Sequence, residues 1–277
     1  MKTHVLVFPC GNQSAVDINF CLRESVRFEV FGASSVDDHG KYVYKNYIGD
    51  LPKIHEPSFL KRFNAILAEH RIEFVIPTHD TVAYFLMQHQ EQIAATVVAS
   101  PLSTAKICRY KSLTYQTLSG EDFVPAVYTR DSIPQFPVFL KPDDGQGGQR
   151  TALVYNHKQL DERLAADPDL LICEHLPGQE ITVDCFTDRH GALRLISPRT
   201  RERTLAGMST RTRLIRSTVE IRRIIETINR KITFRGAWFA QLKQDRSGRY
   251  KLLEISTRLA GSAALTCNRD VNLPLLA

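Results

Sequence analysis

Residues 137–150 read "PVFLKPDDGQGGQR" and join a strand-like apolar run to a glycine-rich stretch. The run ends at Lys141, which places an ammonium group at the rim of a sheet. Three glycines then fall within four positions, at Gly145, Gly147 and Gly148. Glycine lets backbone N–H groups come close to an anion, but a glycine-rich hairpin is also a common turn. Alone, the stretch is consistent with a plain turn or with a flap over phosphate, and other parts of the chain must decide.

Seven strand-like runs lie in this part of the chain, several separated only by turns such as "DRHG" and "DRSG". They are "FPVFLK", "TALVY", "LLICEHL", "EITVDCFT", "ALRLIS", "AWFAQLKQ" and "YKLLEIS". This spacing predicts the hairpins of an antiparallel sheet. Two helices interrupt the runs. Asn156 and Gln159 resemble a capping box at the start of the first. Isoleucines at helical spacing predict a core-facing side for the second, namely Ile221, Ile224, Ile225, Ile228 and Ile232.

The first hundred residues show a different pattern, in which apolar strands alternate with helices. "HVLVF", "RFEVFGAS", "EFVIPTHD" and "TVVAS" read as strands, and Ser58 reads as the cap of a helix with apolar residues at helical spacing. Short apolar strands alternating with helices predict a parallel sheet covered on both faces. We therefore expect a doubly wound α/β domain over residues 1–104, followed by an α+β domain with an antiparallel sheet over residues 105–277.

The composition is that of an ordinary globular protein, with 43% hydrophobic and 24% charged residues in 277. No apolar stretch approaches the roughly 18 residues that span a bilayer, so we expect no membrane partner. The start, "MKTHVLVFPCGNQ", is too short in apolar residues for a signal peptide. The six cysteines form no CxxC pair, which favours reduced thiols over a zinc site and predicts a cytoplasmic protein.

The net charge of +6 comes largely from ten arginines between Arg199 and Arg235, a segment with only three glutamates. Such a cluster is typical of a nucleic-acid surface or of a pocket that gathers polyphosphate and carboxylates. No RNA-binding signature or zinc-finger spacing supports the first alternative. We therefore expect a pocket, and no nucleic-acid partner.

Polar side chains stand at the strand ends of the second half. "ICEHLPGQEITVDCF" ends one strand at Glu174 and begins another at Glu180. The hairpin "AQLKQDRSGRYKLLEISTR" puts Gln241 and Glu254 on neighbouring strands, with Arg258 four residues beyond Glu254. Oxygen ligands on adjacent strands suit Mg²⁺, and an arginine beside that metal can neutralise a phosphoryl group in transfer. Each carboxylate taken singly is equally consistent with a surface group.

The order of these elements, "FPVFLKP..GQGG…CEHLPGQE.TVD…Q……LLEIS.R", resembles the ATP-grasp superfamily. Within it, the chain is similar to the large subunit of carbamoyl phosphate synthetase and to stand-alone carboxylate–amine ligases. The match covers most of residues 105–272. It implies two lobes, residues 105–175 and 176–277, with ATP and Mg²⁺ or Mn²⁺ bound between them. It also implies an ADP-forming ligase that joins a small carboxylate to an amine or ammonia through an acylphosphate.

The resemblance implies roles for individual residues. Lys111 would contact the nucleotide phosphates, with Lys106 as a less well-spaced alternative, and Lys141 would contact the α-phosphate and the adenine side. The three glycines would form the flap over the β- and γ-phosphates. The adenine edge would meet the backbone of Glu174, His175 and Leu176, and the ribose hydroxyls would meet Glu180.

For the reaction centre the resemblance implies Gln241, Glu254 and Ser256 as metal ligands, with Arg258 and Arg203 as catalytic residues. Arg203 belongs to a segment, with Arg199, Arg201 and Arg211, that faces the acceptor carboxylate and γ-phosphate in similar proteins. The family usually has asparagine where this chain has Ser256, which predicts a weaker metal ligand. The chain also ends in "VNLPLLA", where relatives continue a helix, so we expect that a C-terminal part is missing.

Three alternatives stay open from the sequence. One is a kinase-like enzyme that stops at phosphorylation, and another is a nucleotide-binding module whose catalysis is lost or supplied by a partner. The third is a basic nucleic-acid binder, which requires an exposed arginine stripe. The stretch Thr78-His79-Asp80 follows a strand and reads as a ligand loop or a helix cap, and it is left out of the predicted site. Homo-oligomer formation is also left open.

Overall fold

The computed structural model describes residues 2–145, 147–205 and 207–277. The N-terminal part is a five-stranded parallel sheet in the order β3-β2-β1-β4-β5. Its strands are β1 (Thr3–Phe8), β2 (Phe28–Ala33), β3 (Asn46–Ile48), β4 (Phe74–Pro77) and β5 (Thr96–Val97). The sequence predicted four of them. It missed β3, because three residues are too few to show a periodicity.

Helices cover both faces of this sheet, as the sequence predicted. They are α1 (Gln13–Leu22), α2 (Gly40–Val43), α3 (Phe59–Glu69) and α4 (Asp80–Gln88). Two further helices, α5 (Leu102–Arg109) and α6 (Lys111–Thr117), follow β5 and pack in the core of the C-terminal part. Along β1, Leu6 and Phe8 pack with α3 and α4, whereas Val5 and Val7 pack with α1. Alternate residues therefore serve opposite cores. Ser58 precedes α3 in a helical conformation and its side chain makes no capping hydrogen bond, so the predicted cap is wrong in that detail.

An antiparallel sheet follows in the order β6-β9-β7-β8. It consists of β6 (Val127–Tyr128), β7 (Val138–Pro142), β8 (Ala152–Val154) and β9 (Leu170–Glu174), with α7 (His157–Ala166) inserted before β9. Asn156 accepts the Gln159 N–H at 3.0 Å, which confirms the predicted N-cap. The Gln159 side chain reaches back to the N–H of Tyr155 rather than to that of Asn156.

The last sheet is also antiparallel, in the order β11-β10-β14-β15. The elements here are β10 (Glu180–Thr187), β11 (Leu193–Thr200), β12 (Arg203–Leu205), β13 (Met208–Arg211), α8 (Val219–Lys231), β14 (Gly236–Gln244), β15 (Tyr250–Ser256), α9 (Ala264–Cys267) and α10 (Leu273–Leu276). The five predicted isoleucines are all buried against this sheet. β12 and β13 form a separate hairpin that the sequence did not predict.

The predicted fold class is confirmed, since a parallel α/β sheet precedes antiparallel sheets with two intervening helices. In the described parts of the chain, no helix has the length and apolar character that a membrane span requires.

Candidate active site

A cavity of about 470 Å³ lies where the N-terminal sheet meets the last antiparallel sheet. One wall is made by the loops after β1 and β4, the two strands at which the chain changes direction across the parallel sheet. Open α/β sheets bind ligands at this switch point. The Asn12 side-chain amide donates to the Thr78 hydroxyl at 2.7 Å and ties the two loops together. The opposite wall carries residues of β10, β11, β14 and β15.

Gln241 and Glu254 face this cavity and pair directly across β14 and β15. The register shifts next to Gln241, because Leu242 pairs with Leu252 and leaves Leu253 as an extra residue on β15. This bulge brings Glu254 opposite Gln241. It also leaves the Leu253 carbonyl to accept the Tyr115 hydroxyl at 2.7 Å and Lys141 Nζ at 3.3 Å.

The pair fits a hard cation. Burial raises the pKa of Glu254, although the nearby Lys111 opposes that rise, so the ionised carboxylate lacks full compensation. An anionic oxygen beside an amide oxygen matches the one or two protein ligands that Mg²⁺ takes when phosphate and water complete its shell. Within the described residues, no group of three or more His, Cys, Asp or Glu side chains forms a metal cage. The residues present therefore suit a metal shared with phosphate.

Both predicted lysines are buried, and Lys111 lines the cavity whereas Lys141 does not. Lys111 Nζ donates to the backbone oxygens of Asp143 and Gly145 at 3.2 and 2.9 Å, at the base of the glycine loop. Lys141 Nζ contacts the Tyr115 hydroxyl at 2.5 Å, and burial lowers the pKa of Lys141. The alternative Lys106 is exposed on α5 and is not on the cavity wall. The Lys111 charge also helps to lower the pKa of Lys141, so the two ammonium groups are near enough to act together on a ligand with several negative charges.

Asp80, which the sequence left out of the site, joins the N-terminal part to the predicted reaction centre. Its carboxylate accepts the hydroxyl of Ser256 and the Nε–H of Arg258, the latter at 3.1 Å. Burial works against the charge, but Arg258 and Ser256 hold the pKa of Asp80 below its usual value. The only sequence signal was the position of Asp80 just after a parallel strand, where site residues and helix caps look alike.

The arginine segment divides into buried and exposed members. Arg199 and Arg201 line the cavity and are almost completely buried. Arg203, predicted as catalytic, is exposed on β12 and is not on the cavity wall, and Arg211 is likewise exposed. All three residues of the β12 strand are exposed, so Arg203 lies in solvent and its placement differs from the expectation. Of the four arginines in this segment, Arg199 and Arg201 are the two on the cavity wall.

The predicted adenine and ribose residues are not on the wall of the cavity. Glu174 ends β9, with Lys251 Nζ 4.0 Å away, and burial raises the pKa of Glu174. Leu176 is buried, and His175 has its pKa lowered by burial and by Lys243. The Glu180 carboxylate lies 2.7 Å from Arg201 Nε. A ribose at Glu180 would therefore share that carboxylate with Arg201.

The glycine loop covers the cavity, with Gly145 and Gly147 on its wall. Gly147 and Gly148 have φ values of 65° and 71°, a backbone conformation that favours glycine. The loop meets the β12–β13 turn so closely that a Cβ on Gly207 would lie 2.3 Å from Gly147 Cα. Arg109 Nη2 contacts Asp144 at 3.1 Å. Gln146, also in the predicted loop, lies outside the described residues.

Gly147→Val is expected to lower turnover about tenfold or more and to weaken nucleotide binding, because valine opposes the positive φ of a segment that closes over phosphate. Gly191→Val is the matched control, since Gly191 has a φ of 81° in a turn with open space around it. Hydrogen exchange should show that residues 143–145 and 147–150 gain protection with ATP–Mg²⁺. Full protection of these amides without nucleotide would contradict a flap.

Known proteins share this architecture. Residues 166–277 match a family described as "ATP-grasp in the biosynthetic pathway with Ter operon". Among solved structures, the chain is similar to a biotin carboxylase–β,γ-ATP complex from Campylobacter jejuni, with a TM-score of 0.74, 15% identity, and coverage of 99% of this chain and 69% of that one. It is also similar to an L-amino acid ligase from Bacillus licheniformis, with a TM-score of 0.73, 15% identity, and coverage of 99% and 72%.

A third similar structure is N5-carboxyaminoimidazole synthetase from Staphylococcus aureus complexed with ADP, with a TM-score of 0.73, 15% identity, and coverage of 94% of this chain and 71% of that one. The chain therefore has the fold of ATP-grasp proteins, as the motif order predicted. Its residues 166–277 carry the more particular likeness, to the ATP-grasp family of the Ter operon.

Proposed function

We propose that the chain is an ATP-dependent ligase that joins a small carboxylate to an amine or ammonia and releases ADP and phosphate. The convergence on one cavity of Gln241, Glu254, Arg258 and Lys111 beneath the glycine loop is the observation that carries this proposal. The ATP-grasp fold supports ATP as the phosphoryl donor. The kinase-like and catalysis-free alternatives predict different products, so they can be separated by experiment.

In the proposed reaction, a carboxylate oxygen of the acceptor attacks the γ-phosphorus and the bond from that phosphorus to the β–γ bridging oxygen breaks. The products of this step are ADP and an acylphosphate. The nitrogen of a neutral amine then attacks the acyl carbon, phosphate leaves, and the nitrogen loses a proton. A bound Mg²⁺ would supply charge neutralisation for the triphosphate, held by Glu254 and Gln241.

The protein's own residues bind and orient the reactants. Lys111 and Lys141 would hold the phosphates, and Arg258 would neutralise the phosphoryl group in transfer. Asp80 positions the Arg258 guanidinium through its Nε–H, while the Arg258 Nη1 donates to the Ser14 hydroxyl at 3.3 Å. Arg258 also lies 5.3 Å from the Phe239 ring centre, so three contacts fix its direction. The glycine loop would exclude water from the acylphosphate.

ATP–Mg²⁺ is expected to raise the melting temperature of the protein, because a ligand that binds only the folded state at 100 times its Kd stabilises it by about 2.7 kcal/mol. Differential scanning calorimetry and isothermal titration measure the effect, with GTP–Mg²⁺ as the comparison ligand. If saturating ATP–Mg²⁺ gives neither a thermal shift nor binding heat, the proposal fails at its first step.

Hydroxylamine separates the three nucleotide-dependent alternatives. We expect carboxylates screened with ATP–Mg²⁺ and hydroxylamine to give ADP and a hydroxamate, because hydroxylamine traps an acylphosphate. A kinase-like enzyme acting on a hydroxyl would give ADP and a stable phosphate ester without hydroxamate. A catalysis-free module would bind ATP and release no ADP with any acceptor. Either of those results would overturn the ligase proposal.

A further inference from the structure

Two cysteines far apart in sequence, Cys21 on α1 and Cys267 on α9, hold their thiols side by side. The Cys21 thiol hydrogen-bonds the Cys267 thiol, and both cysteines are free. Both are only partly buried, so a small molecule in solution can reach them, whereas Cys10, Cys173 and Cys185 are fully buried. Two adjacent thiols with access to solvent are what an oxidant needs to form a disulfide.

The backbone brings these two positions together independently of the thiol contact. The helices α1 and α9 lie in contact. Asp17 Oδ2 accepts the backbone N–H of Ala264 at 3.1 Å. Cys21 lies four residues after Asp17, and Cys267 lies three residues after Ala264. Each thiol is therefore about one helical turn beyond this hydrogen bond, on the same face of its own helix.

Further contacts along α1 hold Cys21 in this position. Ser14, Asp17 and Cys21 are spaced i, i+3 and i+7, so they share one face of the helix. At the start of that face, Arg258 Nη1 donates to the Ser14 hydroxyl at 3.3 Å. At its end, Asn272 Nδ2 donates to the Cys21 carbonyl at 2.6 Å. The face of α1 is thus held against the chain that follows β15 on both sides of the thiol pair.

The surroundings of the two thiols indicate the order in which they react. Burial raises the pKa of Cys21, and the neighbouring Cys267 thiol and the Asp17 carboxylate raise it further. Because the thiolate is the nucleophile in disulfide exchange, Cys21 is a poor first nucleophile. The Cys267 contribution ends once the Cys267 sulfur is bonded to another sulfur. We therefore expect Cys267 to react first and Cys21 to complete the bond.

We propose that Cys21 and Cys267 are a redox modification site, at which a low-molecular-weight disulfide such as oxidised glutathione converts the two thiols into an intramolecular disulfide. The Cys267 thiolate attacks one glutathione sulfur, the glutathione S–S bond breaks, and one glutathione leaves. Cys21 Sγ then loses its proton and attacks Cys267 Sγ, and the second glutathione leaves. The two cysteines are oxidised, and one oxidised glutathione is reduced to two thiols, which take up the two protons.

The disulfide ties α1 to the segment that carries Arg258. It joins residues near opposite ends of the chain, so it strongly restricts the unfolded chain. We therefore expect the oxidised protein to melt about 5 °C or more above the reduced protein. The site is independent of the proposed ligase reaction, because neither Cys21 nor Cys267 is on the wall of the cavity.

The test treats the whole reduced chain, freed of reductant, with oxidised glutathione. Peptide mapping by mass spectrometry without reductant is expected to show one cross-linked species that joins Cys21 to Cys267 and has lost two hydrogen atoms. Cys21→Ser is expected to stop at a Cys267–glutathione mixed disulfide. Cys267→Ser is expected to react at Cys21 at least about tenfold more slowly. Neither variant should show the rise in melting temperature, which calorimetry measures.

Cys108→Ser is the matched control, because Cys108 is also partly exposed and lies outside the pair. It is expected to form the cross-link at the unaltered rate, and circular dichroism checks that every variant is folded. Four results would overturn the site: no reaction, glutathione that stays on Cys267 in the unaltered protein, a bond between other cysteines, or a bond between two copies of the chain. A cross-link in a protein that forms no hydroxamate supports the site and counts only against the ligase.

Discussion

Glu254→Gln is expected to lower turnover at least about 100-fold while the fold stays intact. Glutamine keeps the shape of the side chain and removes the anionic oxygen opposite Gln241. The proposed metal would then lose its only charged protein ligand, and the loss of such charge stabilisation at a phosphoryl-transfer site costs several kcal/mol. Steady-state kinetics across a magnesium titration measures the effect, with the exposed Glu226→Gln on α8 as the control.

The same substitution is also expected to change how the stability of the protein depends on pH, in a direction that the pKa of Glu254 determines. Burial raises the pKa of Glu254 in the folded protein, so the stability it contributes is present below its unfolded pKa of about 4.3 and is lost as pH rises through the folded value. Glutamine is neutral at every pH and avoids that loss. Without nucleotide, Glu254→Gln should therefore melt no lower than the unaltered protein at pH 7. Unchanged turnover in the folded variant would exclude Glu254 as the metal ligand.

Asp184→Ala is expected to destabilise the protein by about 3–5 kcal/mol, because it leaves the guanidinium of Arg199 buried without its ion-pair partner. Both side chains are 1% exposed, so water cannot replace the carboxylate. Urea denaturation monitored by circular dichroism measures the change in the free energy of unfolding.

The double variant Asp184→Ala/Arg199→Met is the control for this prediction. It removes both charges, and we expect it to recover most of the lost stability. Asp161→Ala breaks a pair of similar geometry, in which Arg130 contacts Asp161 at 2.7 Å with both side chains about half exposed. Its effect should be far smaller, since surface ion pairs contribute little. Equal losses at Asp184 and Asp161, or no recovery in the double variant, would contradict the buried-pair account.

The amino-acid sequence by itself determined the architecture and part of the site. Apolar strands alternating with helices were enough to predict the parallel sheet, and turn signals between later strands predicted the antiparallel ones. The motif order predicted the ATP-grasp fold. Lys111 lies on the cavity wall and Lys141 is buried beside Tyr115, and each is fixed by its own local element, the start of α6 and the end of β7. Such positions depend on neighbours in sequence, so they can be predicted from the sequence alone.

The pairing of Gln241 with Glu254 was predicted from the hairpin. Its geometry depends on a bulge at Leu253, which the residue types in the hairpin do not indicate. Without the bulge, a regular count from the turn would set Leu253 opposite Gln241, and Glu254 would point to the other face. The Leu253 carbonyl at the bulge instead accepts the hydroxyl of Tyr115, a residue of α6 that lies 138 positions away in sequence.

Only the tertiary structure decided which residues complete the site from a distance. Asp80 meets Ser256 and Arg258 across 176 and 178 residues, and Arg199 rather than Arg203 reaches the cavity. The first turn of α1 joins them because the Arg258 guanidinium, two residues beyond the end of β15, donates to the Ser14 hydroxyl. The local sequence pattern determines which element carries a side chain and which face of that element it lies on. The partner that the side chain contacts depends on how separate layers pack. That packing is driven by the burial of whole apolar surfaces.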